Sequence, residues 1–154
     1  DTDISVGAYH VLELDTDGTK QAEHFINAVG EDLSGRLIPA VEVRLRGLYR
    51  LLPPDYYEAA DNLADFCDRI EKQYGVRPVI YCTERTYKNI VASDSRFNKD
   101  KIWYESLFSK PDEDMDWTFW TYTNRVKFSF YESGEYLHMT VFNGSEDDFK
   151  KLII

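Results

Sequence analysis

With 154 residues, 43% of them hydrophobic and 15% aromatic, the chain suits one domain that buries about 70% of the surface its unfolded form exposes. Eleven tyrosines, nine phenylalanines and three tryptophans are too many for a disordered segment and predict a packed core. A net charge of −10 argues against nucleic acid and anionic membrane surfaces, which are bound through Lys and Arg. No apolar run approaches the ~18 residues of a membrane span and the N-terminus carries no signal-peptide pattern, so no membrane insertion is expected.

Val6 to Leu14 reads as a buried strand that ends at the turn signal Asp15-Thr16-Asp17-Gly18. A helix follows, capped by Thr19, with Ala22, Phe25, Ile26 and Val29 at helical spacing before Gly30. Leu37 to Leu45 is the next strand, with Pro39 near its start and β-branched Val41 and Val43 behind it. Pro53-Pro54-Asp55 opens a well-marked helix running to about Tyr74, whose apolar stripe is Ala59, Leu63, Phe66 and Ile70. Val79 to Cys82 is a short central strand, and Glu84 to Val91 a short helix. Alternating strands and helices predict a parallel sheet with right-handed crossovers.

After residue 100 the pattern changes. Ile102 to Tyr104, Trp117 to Thr123, Lys127 to Tyr131 and Leu137 to Phe142 are strand-like runs joined by polar turns, without helices between them. Ser145 to Leu152 is a closing amphipathic helix in which Ser145 and Asp148 form a capping-box-like start. No repeat or composition shift divides the chain, so residues 1–154 are expected to form a single domain. Cys67 and Cys82 match no zinc or redox spacing and are read as buried hydrophobes. No His, Cys or acidic cluster has metal-ligand spacing, and neither metal nor cofactor is expected.

The order of motifs resembles glycoside hydrolase family 25, lysozymes that cut the glycan strands of bacterial peptidoglycan. The pieces that carry it are Gly7-Ala8-Tyr9-His10, the Gln21-Ala22 helix, Pro39-Ala40-Val41, Gly75 through Tyr81, Trp103, Trp117 through Tyr122, and Val141-Phe142-Asn143-Gly144. The resemblance runs from about residue 6 to the C-terminus. It implies an α/β, TIM-like barrel, here lacking the first two strand-helix units, of roughly 30 residues each, one of which carries a catalytic aspartate in the family. Missing strands leave edges with unpaired backbone groups, so the expectation is that the chain is a fragment, that a partner fills the gap, or that two copies pair. The implied ligand is peptidoglycan or a related glycan, in an extracytoplasmic setting.

Glycoside hydrolysis normally needs two carboxyl groups flanking the bond. By resemblance, the family's Asp-x-Glu pair becomes Glu42-Val43-Arg44, and its last-strand Asp-x-Asn pair becomes His138-Met139-Thr140. Strand alternation puts Glu42 and Arg44 on one face, where a guanidinium, which cannot act as an acid, is expected to form an internal salt bridge. Glu42 is thus the one surviving catalytic candidate, with Arg44, His138 and Thr140 as altered positions. Glu13 and Glu105 are candidate substitute carboxylates. Tyr9, His10, Trp103, Glu105, Trp120 and Tyr122 are candidate substrate-binding residues, since aromatic platforms for sugars survive loss of the carboxylates. Against these stands the reading that His10 and one alternating set of the aromatics are core. Three functions follow in order of preference: a catalytically impaired, glycan-directed lysozyme-like domain; a muramidase with relocated carboxylates; and a non-catalytic interaction scaffold.

Overall fold

Asp55 starts a 19-residue helix because its carboxylate accepts from the backbone N–H groups of Tyr57 and Glu58, two donors that a helix start leaves unpaired. This helix, α2 (Tyr56–Tyr74), buries the predicted stripe of Ala59, Leu63, Phe66 and Ile70. In α1 (Gly18–Val29) the cap is Asp17 and not Thr19: the Asp17 carboxylate accepts from Lys20 N at 2.9 Å, and Thr19 falls inside the first turn. An aspartate one residue before the helix is the stronger cap in this position. The two helices cross at Gly18, where an added Cβ would lie 1.8 Å from the carbonyl oxygen of Asn62.

The computed structural model describes residues 4–128 and 136–154. Six strands form one sheet in sequence order: β1 (Tyr9–Val11), β2 (Ala40–Val43), β3 (Val79–Thr83), β4 (Ile102–Glu105), β5 (Phe119–Val126) and β6 (Leu137–Phe142). The first five are parallel and β6 is antiparallel to β5. The α/β class is the expected one, and β1 and β6 are the two edges of an open sheet among the described residues. β1 and β2 are shorter than the apolar runs that predicted them, because those runs continue as buried chain beyond the paired residues, as at Leu12, Leu14 and Leu45.

Glu84 to Val91 is one turn of α-helix, α3 (Glu84–Thr86), that widens into a π-turn over Tyr87–Val91. Lys127 and Phe128 of the expected fourth late strand lie outside β5, and its remainder, 129–131, falls outside the described residues. The closing helix, α4 (Glu146–Lys150), has the predicted box: Ser145 Oγ accepts from Asp148 N, and the Asp148 carboxylate accepts from Ser145 N. Beyond it Leu152 is buried, and Ile153 bridges back to Leu37 beside β2.

Register assigns the two faces of the sheet. Val41, Val43, Ile80, Cys82 and Tyr104 point to the helices and join Phe25, Leu63, Phe66 and Ile90 in the main core. Both cysteines are free and buried, and burial pushes both thiols above the ordinary cysteine range. The opposite face carries Tyr9, Ala40, Glu42, Tyr81 and Trp103. The sheet curls enough that Tyr9 of β1 and His138 of β6, from its two edges, line the same cavity.

Candidate functional site

The concave face of the sheet holds a cavity of about 350 Å³. Its wall is made by Tyr9 from β1, Ala40 and Glu42 from β2, Arg44 and Arg46 just beyond β2, Tyr81 from β3, Trp103 from β4 and His138 from β6. Each in-strand residue alternates with a core residue on the other face, so the same packing that buries Val41, Ile80 and Ile102 turns Glu42, Tyr81 and Trp103 into the cleft.

Arg44 ties the centre together. Its Nε lies 2.7 Å from Glu42 Oε1, an ion pair in which the N–H is not aligned as a hydrogen bond. Its NH2 group donates to Glu105 Oε2 at 2.5 Å and to the Tyr81 hydroxyl at 3.0 Å. Tyr81 in turn donates to the same Glu105 oxygen. Arg46 donates to the other oxygen of Glu42 at 3.0 Å. The result is an alternating chain of charge, Arg46–Glu42–Arg44–Glu105, of which the Glu42 residue is only 7% exposed. A carboxylate so deeply buried needs paired cations to offset its lost hydration.

Electrostatics reinforce the arrangement. Burial disfavours the Arg44 cation, but Glu105, Tyr81 and Glu42 outweigh it and hold the guanidinium above its ordinary pKa. Burial, then the hydrogen bond to Glu105, pushes the Tyr81 hydroxyl above the ordinary tyrosine value.

A ladder of rings continues the cleft floor. Tyr81 and Trp103 are 4.8 Å apart between centroids, Trp103 and Phe119 5.4 Å, and Phe119 and Phe142 5.3 Å. Trp103 Nε1 donates to Thr121 Oγ1 at 2.9 Å, which is itself 2.7 Å from Thr140 Oγ1. The indole is therefore fixed in orientation by β5 and β6. Thr140, read from sequence as an altered catalytic position, here buttresses Trp103 through Thr121.

Four sequence candidates lie elsewhere. His10 stacks on Phe66 at 5.0 Å and its Nε2 is 3.1 Å from Gln21 Oε1, which places it under the helices: the residue that faces the cleft from β1 is its neighbour Tyr9. Trp120 pairs in register with Tyr104 on the helix side and donates from Nε1 to the Ser106 carbonyl. Tyr122 follows it on that face, 5.7 Å away. Alternation with Thr121, which is 1% exposed on the cleft side, accounts for Trp120, and the register shift between Thr121 and Thr123 leaves Tyr122 against the Trp120 ring. Glu13 is exposed and lines a neighbouring cavity with Arg44 and Arg46. Tyr81, Arg46 and Thr121 are site residues that the sequence reading did not single out. Tyr81 had a usable signal, as the polar-tipped ring inside the apolar run Val79-Ile80-Tyr81-Cys82.

Among the described residues no group of three or more His, Cys, Asp or Glu side chains is placed to hold a metal ion, and no helix is long and apolar enough to cross a membrane. The sequence family described as "Glycosyl hydrolases family 25" matches residues 1–129. No curated protein matches by sequence. Among solved structures, a family 25 glycosyl hydrolase from Bacillus anthracis superimposes with a TM-score of 0.85 at 30% identity, covering 99% of this chain and 70% of that one. A bacterial lysozyme from Streptomyces coelicolor gives 0.76 at 23% identity, over 95% of this chain and 70% of that one. A muramidase from Acremonium alcalophilum gives 0.71 at 23%, over 95% and 71%. With the family matched over residues 1–129 and 99% of its own length superimposing on the Bacillus anthracis enzyme at 30% identity, the chain belongs to glycosyl hydrolase family 25.

Proposed function

We propose that this chain is a peptidoglycan-directed member of the family that binds glycan in the cleft and does not hydrolyse it. The observation that carries this reading is Arg44. It stands where the family resemblance places a catalytic glutamate, and one guanidinium engages both cleft carboxylates, Glu42 and Glu105, through its Nε and NH2 groups. Hydrolysis needs one carboxyl group free to give a proton and a second free to face the sugar ring. Here both are occupied as ion-pair acceptors, and neither has room to change role without breaking the network. By the same resemblance His138 replaces the last-strand aspartate, and it lines the cleft.

Binding is favoured by what the substitutions leave intact. Trp103 keeps its ring in the cleft with its N–H already satisfied, an arrangement suited to stacking on a sugar face, and Tyr9, 65% exposed, offers a second ring at the rim. Glycan of this kind lies outside the cytoplasm, and the proposal places the chain there. The two sheet edges, β1 and β6, are the surfaces at which a partner chain or second copy would pair, if the whole assembly closes the cleft.

The test is sedimentation with insoluble peptidoglycan, comparing the parent chain with Trp103→Ala. Loss of the ring is expected to weaken binding about tenfold, the equivalent of about 1.4 kcal/mol, while circular dichroism remains that of the parent. Equal retention of the two proteins would remove the cleft from the binding surface.

A further inference from the structure

Beside the cleft lies a second, smaller cavity of about 220 Å³, lined by Arg44, Leu45, Arg50, Thr83 and Arg85. Three guanidiniums thus face one space that no carboxylate lines, in a chain where Asp and Glu outnumber Lys and Arg by 28 to 18. Arg44 is paired on its cleft side with Glu42 and Glu105, and other arginines are neutralised likewise: Arg69 by Glu23, Arg77 by Asp68, Glu71 and Asp100, and Arg96 by Asp61 and Asp94. Among the described residues neither Arg50 nor Arg85 has a carboxylate within salt-bridge distance. Gathering like charges around a cavity raises its potential and favours an anion from solution.

The cluster is held by the fold and not by chance contact of long side chains. Gly47, at φ +53°, lets the chain turn sharply after β2 into a single 3-10 turn (Gly47–Arg50) that carries Arg50 back over the strand ends. Thr86, fully buried, donates to the Val43 carbonyl at 2.8 Å and forms a capping box with Thr83, locking the tops of β2 and β3 together. Arg85 then donates to the Arg50 carbonyl at 3.3 Å, which joins the two walls of the cavity. Arg44 lines both this cavity and the cleft, so the two are contiguous through one side chain.

We infer that this cavity is an anion subsite that takes a carboxylate or phosphate group attached to the ligand in the cleft, an inference that rests on the glycan-directed reading above for the identity of that ligand. Guanidinium forks match the paired oxygens of either group, and a cavity of this size has room for one such group. The carboxylates of peptide stems and the phosphates of polyol-phosphate wall polymers supply the same chemistry.

The experiment is titration calorimetry of the full chain with three probes: a disaccharide-peptide with free stem carboxylates, the same compound with those carboxylates amidated, and a glycerol-phosphate oligomer. Parent, Arg50→Ala/Arg85→Ala and Arg50→Lys/Arg85→Lys chains are compared. Both arginines are exposed, so the variants should keep the parent's unfolding midpoint. At least one anionic probe is expected to bind the parent about tenfold or more tightly than the alanine double variant, with the lysine variant between them, and the probe that discriminates identifies the source of the anion. The amidated probe is expected to bind all three chains alike. If neither anionic probe separates parent from alanine variant, the subsite is overturned. If the anionic probes separate them but the amidated probe does not bind at all, the subsite stands and the glycan reading of the cleft falls.

Discussion

Arg44→Ala is expected to destabilise the chain by about 3 kcal/mol, because it leaves Glu42 and Glu105 buried with most of their compensating charge removed. Glu42 and Glu105 side chains are 9% and 11% exposed, so water reaches neither freely. Arg46 continues to contact Glu42, but it is itself 55% exposed and its charge is well screened, so it cannot replace Arg44. The tyrosine hydroxyl loses one donor and keeps Glu105 as its acceptor. Adding Glu42→Gln and Glu105→Gln to Arg44→Met is expected to restore much of the loss, since neutral amides do not carry the unpaired-charge penalty. Urea midpoints of the single and triple variants measure this. A single variant within about 0.5 kcal/mol of the parent would mean that the network contributes little and that the cleft carboxylates are free.

An equal effect is expected at a residue far from the cleft. Gly18→Ala places a methyl group 1.8 Å from the Asn62 carbonyl oxygen, 2.7 Å from its carbonyl carbon and 3.0 Å from Phe66 N. All three are backbone atoms in the middle of α2, so no side chain can swing aside and the helices must part. Phe66 stacks against His10 and packs edge-on to Phe25, so separation of the helices opens the core that backs β1. Overpacking of this kind costs about 3 kcal/mol at the upper end of its usual range. Thr19→Ala is the matched control: Thr19 is exposed and Asp17 supplies the cap, so a change within about 0.5 kcal/mol is expected. A Gly18→Ala chain as stable as the parent would contradict the tight helix crossing, and a large loss in Thr19→Ala would return the cap to Thr19.

Much of this architecture is legible in the sequence because local signals and tertiary packing agree. Asp55 and Gly75 bracket α2, and the short apolar runs Val79 to Cys82 and Ile102 to Tyr104 mark β3 and β4. The pairing of Glu42 with Arg44 follows from strand period alone. What period cannot supply is which face is which. His10 and Tyr9 are adjacent and both fit a cleft, and the choice is made by Phe66 and Gln21 on two different helices. Trp120 and Tyr122 went to the helix side because β4 sets the register of β5 through Trp103 and Phe119, a pairing between residues 16 apart in sequence. Glu105 was legible as a carboxylate near Trp103, but its bond to Arg44 spans 61 positions and depends on the order of three strands. Thr19 was preferred to Asp17 as a cap because the turn signal before the helix extends into its first residue, Gly18, and hides where the helix begins.

The disposition of the aromatics has a functional consequence. Trp103 and Tyr81 share the cleft floor with the charge network, whereas Trp117 and Trp120 form an edge-on pair, 6.2 Å apart, with Trp120 against the main core. If glycan binds in the cleft as proposed, ligand contact and stability are separable by mutation, since Trp103 lines the cleft and Trp120 packs on the core.

The most direct test of the central claim is reducing-end release from purified peptidoglycan, from acid to neutral pH, by the parent chain beside Glu42→Gln and Arg44→Glu. The expected result is no release by the parent, in which Arg44 holds both cleft carboxylates, none by Glu42→Gln, which keeps only Glu105 and that still bound to Arg44, and none by Arg44→Glu, which adds a carboxylate at the end of β2 but leaves His138 where the resemblance places the last-strand acid. Release by the parent that Glu42→Gln abolishes would contradict it, and would make this chain a working hydrolase with a relocated pair of carboxylates.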